Sequence, residues 1–149
     1  VTFNTVLDVF GRAGDVDKMD TFFLSMKHQG MKPNTVTYCS LISAYSKAGK
    51  LYKVDSILKQ VENTDVVLDT PFFNCLINVY GRSGNIDKMK ELFLEMKEKK
   101  CEPDHITFAT MIQAYKAKGM DEDAKDTETK MLAMNSSSGL CFLIILSPL

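Results

Sequence analysis

Apolar residues early in the chain return at intervals of three and four: Phe3, Val6, Leu7 and Phe10, then Val16, Met19, Phe22, Phe23 and Met26, then Tyr38, Leu41, Ile42 and Tyr45. That spacing puts each set on one face of a helix, whereas a half-buried strand would alternate. Gly14 stands between the first two stripes, where a left-handed residue stops a helix. Pro33 ends the second stripe, and Asn34 after it offers a capping side chain for the next helix. The pattern predicts helices over 2–13, 16–29, 37–48, 51–62, 72–83, 86–99, 107–118 and 121–133.

The same pattern repeats along the chain without insertion. Val1-Thr2-Phe3 returns as Val36-Thr37-Tyr38, Pro71-Phe72-Phe73 and Ile106-Thr107-Phe108, a step of 35 each time. Gly14 returns as Gly49, Gly84 and Gly119, and Pro33 returns as Pro103 with Leu68 between them. Residues 1–35 and 71–105 share 14 identities, among them Asn4, Gly11, Arg12, Asp17 and Met19. A fixed period of this length means stacked helical hairpins, because one hairpin cannot bury both of its faces. The expected division is 1–35, 36–70 and 71–105, then a degenerate or truncated fourth repeat over 106–134, then a non-native or disordered tail over 135–149. In the fourth repeat Thr127-Glu128 replaces the apolar pairs of its predecessors, so its second helix is not expected to pack as they do and is either a polar cap or the point where the array breaks off.

Within each first helix, positions four apart drift by only about 40° and form a polar stripe. The stripes are Asn4, Asp8 and Arg12; Cys39, Ser43 and Lys47; and Asn74, Asn78 and Arg82. Stacking the hairpins turns them into rungs, with Arg12, Lys47 and Arg82 as a row of cations suited to a phosphate backbone. This matters because the overall charge offers little: 18 Lys+Arg against 19 Asp+Glu give a formal charge of −1, and no broad basic field. The alternative for those three cations is complementing the helix macrodipole near C-termini.

Cys39, Cys75, Cys101 and Cys141 form no CxxC pair, so a disulfide framework or structural zinc site is not expected and a reducing compartment is. His28 and His105 have no second ligand at metal spacing, and no cofactor or metal is expected. No GxxxxGK[ST], HExxH or nucleophile–base pair points to catalysis. The Met residues 19, 26, 89 and 96 and the aromatics 3, 38, 73 and 108 are expected to be core. Val1 opens inside the pattern with no initiator Met or leader, which reads as a partial chain. The apolar run Leu140–Leu146 is far shorter than the ~20 residues of a membrane span, and no membrane partner is expected.

A 35-residue hairpin that opens Val-Thr-Phe/Tyr, carries Arg/Lys-Ala/Ser-Gly at its turn and closes Lys-Pro-Asn or Glu-Pro-Asp resembles the pentatricopeptide repeat (PPR) family, of the P class. The match runs from residue 1 to about 134. The tetratricopeptide repeat, with a period of about 34 and a Trp signature, fits less well, since the chain has no Trp. The resemblance implies an all-α, right-handed α-solenoid that binds single-stranded RNA, one base per repeat. It implies base-reading pairs Asn4/Asn34, Cys39/Asp69 and Asn74/Asp104, the first for a pyrimidine and the third for uracil. Cys39 departs from the usual Asn, Thr or Ser and leaves its base unassigned; Ala109/Gly139 is expected to read nothing. It implies base-sandwiching residues Val1, Val36, Pro71 and Ile106, with Pro71 stiffening the start of its repeat. An organellar setting follows from the resemblance, chloroplast ahead of mitochondrion, with roles in RNA processing, stability, splicing or translation and further protein partners for a longer chain. The rival is a protein–protein scaffold of the tetratricopeptide type.

Overall fold

The computed structural model describes residues 3–135, and among them it is all-α. The helices are α1 (Phe3–Arg12), α2 (Val16–His28), α3 (Thr35–Lys47), α4 (Leu51–Glu62), α5 (Thr70–Ser83), α6 (Ile86–Glu98), α7 (His105–Ala117) and α8 (Asp121–Asn135). The expectations for Val1, Gly139 and the tail past Asn135 lie outside the described residues.

Helices α3, α5 and α7 begin two residues earlier than the apolar stripe suggests. The cause is capping. Asn34, Asp69 and Asp104 each accept the backbone N–H three residues on, at 3.0 Å, so the first turn starts directly after the cap. Gly14, Gly49, Gly84 and Gly119 have φ between 72° and 84°, the left-handed geometry that lets the chain turn sharply into the second helix of each hairpin.

The structure divides between Cys75 and Leu76, inside α5, into two compact units. In the first, α1 lies against α2 and α3, and α3 against α4. Leu7, Met19, Leu41, Ile42 and Val54 are fully buried there. Gly11 lets α1 come close to α3: a Cβ on it would stand 3.0 Å from the Ala44 Cβ and 3.6 Å from the Met19 sulfur. Phe23 meets Tyr38 edge-on with ring centres 6.2 Å apart, and the Lys27 ammonium sits 4.6 Å above the Phe23 ring. Asp20 of α2 accepts the Tyr45 hydroxyl and pairs with Lys53 of α4. Burial and then the Asp20 hydrogen bond push the Tyr45 pKa up; the Asp20 hydrogen bond does the same for Lys53.

The second unit rebuilds these contacts 70 residues later. A Cβ on Gly81 would stand 3.0 Å from the Ala114 Cβ and 3.1 Å from the Met89 sulfur. Phe93 meets Phe108 at 5.8 Å, and Lys97 sits 4.8 Å above the Phe93 ring. The ion pair returns with its signs exchanged, Lys90 of α6 lying 3.9 Å from Asp123 of α8 and 5.6 Å from the Tyr115 ring centre. Met19, Met26, Met89 and Met96 are buried, as are Tyr38, Phe73 and Phe108, while Phe3 is half-buried against Phe22.

Helix α8 packs on α7 without the large apolar pair of its predecessors. It buries the small residues Ala124 and Thr127, and the Thr127 hydroxyl donates to the Asp123 carbonyl at 2.8 Å, so little polar capacity is stranded. Lys116 of α7 adds an ion pair to Glu128 at 3.0 Å.

Two substitutions test this packing. Gly81→Leu is expected to lower unfolding free energy by about 1–3 kcal/mol, because steric overlap outweighs the ~0.8 kcal/mol that helix propensity favours. A rise in the urea midpoint would mean that α5 and α7 do not approach closely. Lys100 is left-handed (φ 60°) where the first hairpin has Gly30 (φ 78°), so Lys100→Gly is expected to stabilise by about 0.5–1 kcal/mol in the same measurement.

Candidate nucleic-acid interface

The polar stripe of α1 meets the end of its own hairpin and the start of the next. Asn4 Nδ2 donates to Asn34 Oδ1 at 3.3 Å, although 30 residues separate them. The Thr37 hydroxyl donates to Asn4 Oδ1 at 2.6 Å. Thr37 is itself fully buried and accepts the Asn34 N–H at 3.2 Å, while its own N–H reaches Asn34 Oδ1 at 3.0 Å, a reciprocal capping box. The amide of Asn4 is therefore held in one orientation by a rigid helix start. One N–H and one oxygen lone pair of that amide stay available beyond these bonds, a donor and an acceptor side by side. A Watson–Crick edge requires that combination.

Asn34 serves two purposes at once. Its Oδ1 caps α3 and also accepts from Asn4, so the residue that starts a helix is the one that completes the polar pair. Asp69 behaves similarly: Oδ1 accepts the Phe72 N–H at 3.0 Å and Oδ2 accepts the Thr35 hydroxyl at 3.1 Å. Asp104 repeats the capping box with Thr107, whose hydroxyl accepts the Asp104 N–H at 3.1 Å.

The second predicted pair differs in chemistry. Position 72 is Phe, so no hydroxyl stands where Thr37 orients Asn4. Beside Cys39 lies Cys75, whose thiol donates to the Cys39 carbonyl oxygen at 3.7 Å and whose sulfur is 3.5 Å from the Ser43 hydroxyl. The Asp69 charge reaches Cys39 and adds to the rise of its pKa, behind the Cys75 hydrogen bond and burial. Asn74 is buried in α5, at 8% exposure, and is not the freely solvated side chain that a surface helix position would give. Asn74 lies in the first compact unit and Asp104 in the second.

Of the sandwiching candidates, Val36 is 56% exposed and Ile106 63% exposed, both in first turns, where aliphatic side chains are held out to solvent. Pro71 is exposed in the first turn of α5, where its missing N–H costs no helical bond. Among the predicted cations, Lys47 and Arg82 are exposed in the last turns of α3 and α5. Arg12 is exposed too, but its guanidinium pairs with Asp8 one turn back at 3.0 Å, which shares out its charge.

Sequence reasoning overlooked Thr37 and Cys75. Thr37 was visible as the middle residue of the opening triplet, shared with Thr107; Cys75 was visible only as the neighbour of Asn74. Thr37→Val keeps the shape and removes the hydroxyl. It is expected to cost about 1–2 kcal/mol, since the Asn34 N–H loses its acceptor, and to release Asn4. Urea unfolding checks the first effect. Faster motion of the Asn4 side-chain amide in NMR relaxation checks the second, and an unaltered amide would show that Thr37 does not hold it.

A profile of the PPR repeat family matches residues 1–59 and 68–117. Among solved structures, the chain is similar to the pentatricopeptide repeat protein PPR10 in complex with an 18-nt psaJ RNA element, with a TM-score of 0.79 and 25% identity over 89% of this chain and 20% of that one. It is similar to PPR10 from maize with a TM-score of 0.73 and 24% identity, over 89% of this chain and 19% of that one. The PPR domain of Arabidopsis thaliana protein-only RNase P 1, in complex with tRNA, gives a TM-score of 0.70 at 16% identity, over 89% of this chain and 70% of that one. The chain thus spans about a fifth of the length of PPR10. Nothing among curated proteins matches it. With the profile covering well over half of a chain built from helical hairpins at a 35-residue step, this protein belongs to the PPR repeat family.

Proposed function

We propose that the chain is a single-stranded RNA-binding module of helical repeats, each contributing one base contact. In this reading residues 1–35 take a pyrimidine through Asn4 and Asn34, residues 36–70 a base through Cys39 and Asp69, and residues 71–105 uracil through Asn74 and Asp104. Residues 106–134 form a fourth repeat without a reader, because Ala109 offers no hydrogen bond. Val1, Val36, Pro71 and Ile106 supply the aliphatic faces between bases, and Lys47 and Arg82, with Arg12 in a lesser role, the phosphate contacts. The module acts by occupying a transcript, without catalysis, in organellar RNA processing, stability, splicing or translation, with the chloroplast ahead of the mitochondrion.

The observation that carries this reading is the Asn4–Asn34–Thr37 cluster. A helix start is used to aim an amide whose remaining donor and acceptor match a base edge. The likeness to PPR10 in complex with RNA supports the substrate class. Stacking contributes roughly 1–3 kcal/mol per base, so two or three readers bind weakly once ordering of the strand is counted.

Fluorescence anisotropy at fixed low salt tests it. Oligouridine is expected to bind more tightly than oligoadenosine. Asn4→Ala with Asn74→Ala, neither of which caps a helix, is expected to weaken uridine binding about ten- to thirtyfold, at about 1 kcal/mol per hydrogen-bonded edge. Lys47→Ala and Arg82→Ala are each expected to reduce the salt slope by about 0.7 while leaving base preference intact. Binding indifferent to base and to both Asn substitutions would replace RNA reading with a peptide-binding scaffold.

A further inference from the structure

The second reader position carries sulfur where the first carries an amide. Cys39 lies in α3 and Cys75 in the second turn of α5. The Cys75 sulfur is 3.7 Å from the Cys39 carbonyl oxygen and 3.5 Å from the Ser43 hydroxyl. Cys39 and Ser43 are one helical turn apart, so the Cys75 side chain rests in the notch between them, within hydrogen-bonding reach of the Cys39 thiol. Both cysteines are half-buried and reduced, hence open to a small oxidant yet screened from bulky ones. Neither thiol is a requirement of the hairpin: one repeat earlier the same two positions are Asn4 and Ser40.

We propose that Cys39 and Cys75 form an oxidisable dithiol at the second base-reading position, which hydrogen peroxide converts to a disulfide that withdraws Cys39 from base contact. The Ser43 hydroxyl, 3.5 Å from the Cys75 sulfur, can donate to a thiolate there and favours that form, and the thiolate, not the thiol, attacks. Cys75 opens the sequence. Its sulfur takes one peroxide oxygen, the O–O bond breaks, and the hydroxide released collects the proton that Cys75 has given up to become water. The Cys75 sulfenic acid is then attacked by the Cys39 sulfur. The S–O bond breaks, the S–S bond forms, and the departing hydroxide takes the Cys39 proton as a second water. Two thiols and one peroxide give one disulfide and two waters; the thiol pair loses the two electrons that the peroxide gains. Closing the bond draws the sulfurs to about 2.05 Å and removes the Cys39 S–H donor. The consequence for RNA rests on the reading given under Proposed function; the modification itself does not.

The test uses the full chain, fully reduced, as wild type, Cys39→Ser, Cys75→Ser and a Cys101→Ser/Cys141→Ser control. Each is exposed to stoichiometric hydrogen peroxide, quenched by alkylation and mapped by mass spectrometry without reduction. The expected result is a Cys39–Cys75 linked peptide, with the loss of two hydrogens, in wild type and control and in neither single variant. Alkylatable Cys39 and Cys75 beside oxidised Cys101 or Cys141, or separate sulfinic acids on Cys39 and Cys75, would overturn the proposal. Oligouridine affinity of the oxidised control is expected to fall about tenfold, the size of one lost base, and to recover with dithiothreitol. Unchanged affinity in a fully cross-linked chain would overturn the withdrawal of Cys39. If the cross-link forms but even the reduced chain binds no RNA, the RNA reading fails while the modification site stands.

Discussion

The close approach of α1 to α3 is the constraint on which the candidate site depends. It is possible because Gly11 faces Ala44 with no side chain between the helices, and Gly81 faces Ala114 in the same way. At that separation a first-helix side chain reaches across to the cap of the following helix, so Asn4 meets both Thr37 and Asn34. A single large residue at the crossing would widen the gap by more than a hydrogen bond tolerates. The small residues thus set the geometry of the Asn4–Asn34–Thr37 cluster without belonging to it.

Helix capping and the proposed base reading fall on the same residues. Asn34, Asp69 and Asp104 satisfy N–H groups that a helix start leaves orphaned, and they are also the residues assigned to read bases. Asn and Asp cap about equally well. Exchange between them therefore has little effect on the helix, whereas most other residues would sacrifice the cap. The choice of residue at this position is narrow for a reason that has nothing to do with RNA.

The contacts echo at 70 residues more closely than the residues do. Phe23–Tyr38 becomes Phe93–Phe108, Lys27 over Phe23 becomes Lys97 over Phe93, and Asp20–Lys53 becomes Lys90–Asp123 with the charges exchanged. What persists is an attraction between the second helices of neighbouring hairpins beside a buried tyrosine, not a particular charge at a particular place. Between the two copies, Cys39 stands where the first hairpin has Asn4 and the third has Asn74, with Cys75 of the next helix beside it, so the side-chain chemistry at this position changes while the hairpin stays the same.

Most of the fold was legible in the chain itself, because its causes are local. Apolar spacing, the glycines at 14, 49, 84 and 119, and the Asn or Asp before each first helix act within one or two turns, so they read directly from the letters. The polar stripe through Asn4 was legible for the same reason. Even so, α3, α5 and α7 start two residues before their apolar stripes do, since a cap acts ahead of the first buried side chain. That α8 packs through Ala124 and Thr127 was hidden, because small residues carry no strong hydrophobic signal. The partners of the site were decided by tertiary structure alone. Thr37 orienting Asn4, Asp8 sharing the charge of Arg12, and Cys75 settling between Cys39 and Ser43 depend on rotamers and on helix separations of a few ångströms. A 35-residue period says that neighbouring hairpins stack; only the packed side chains say which atoms then touch.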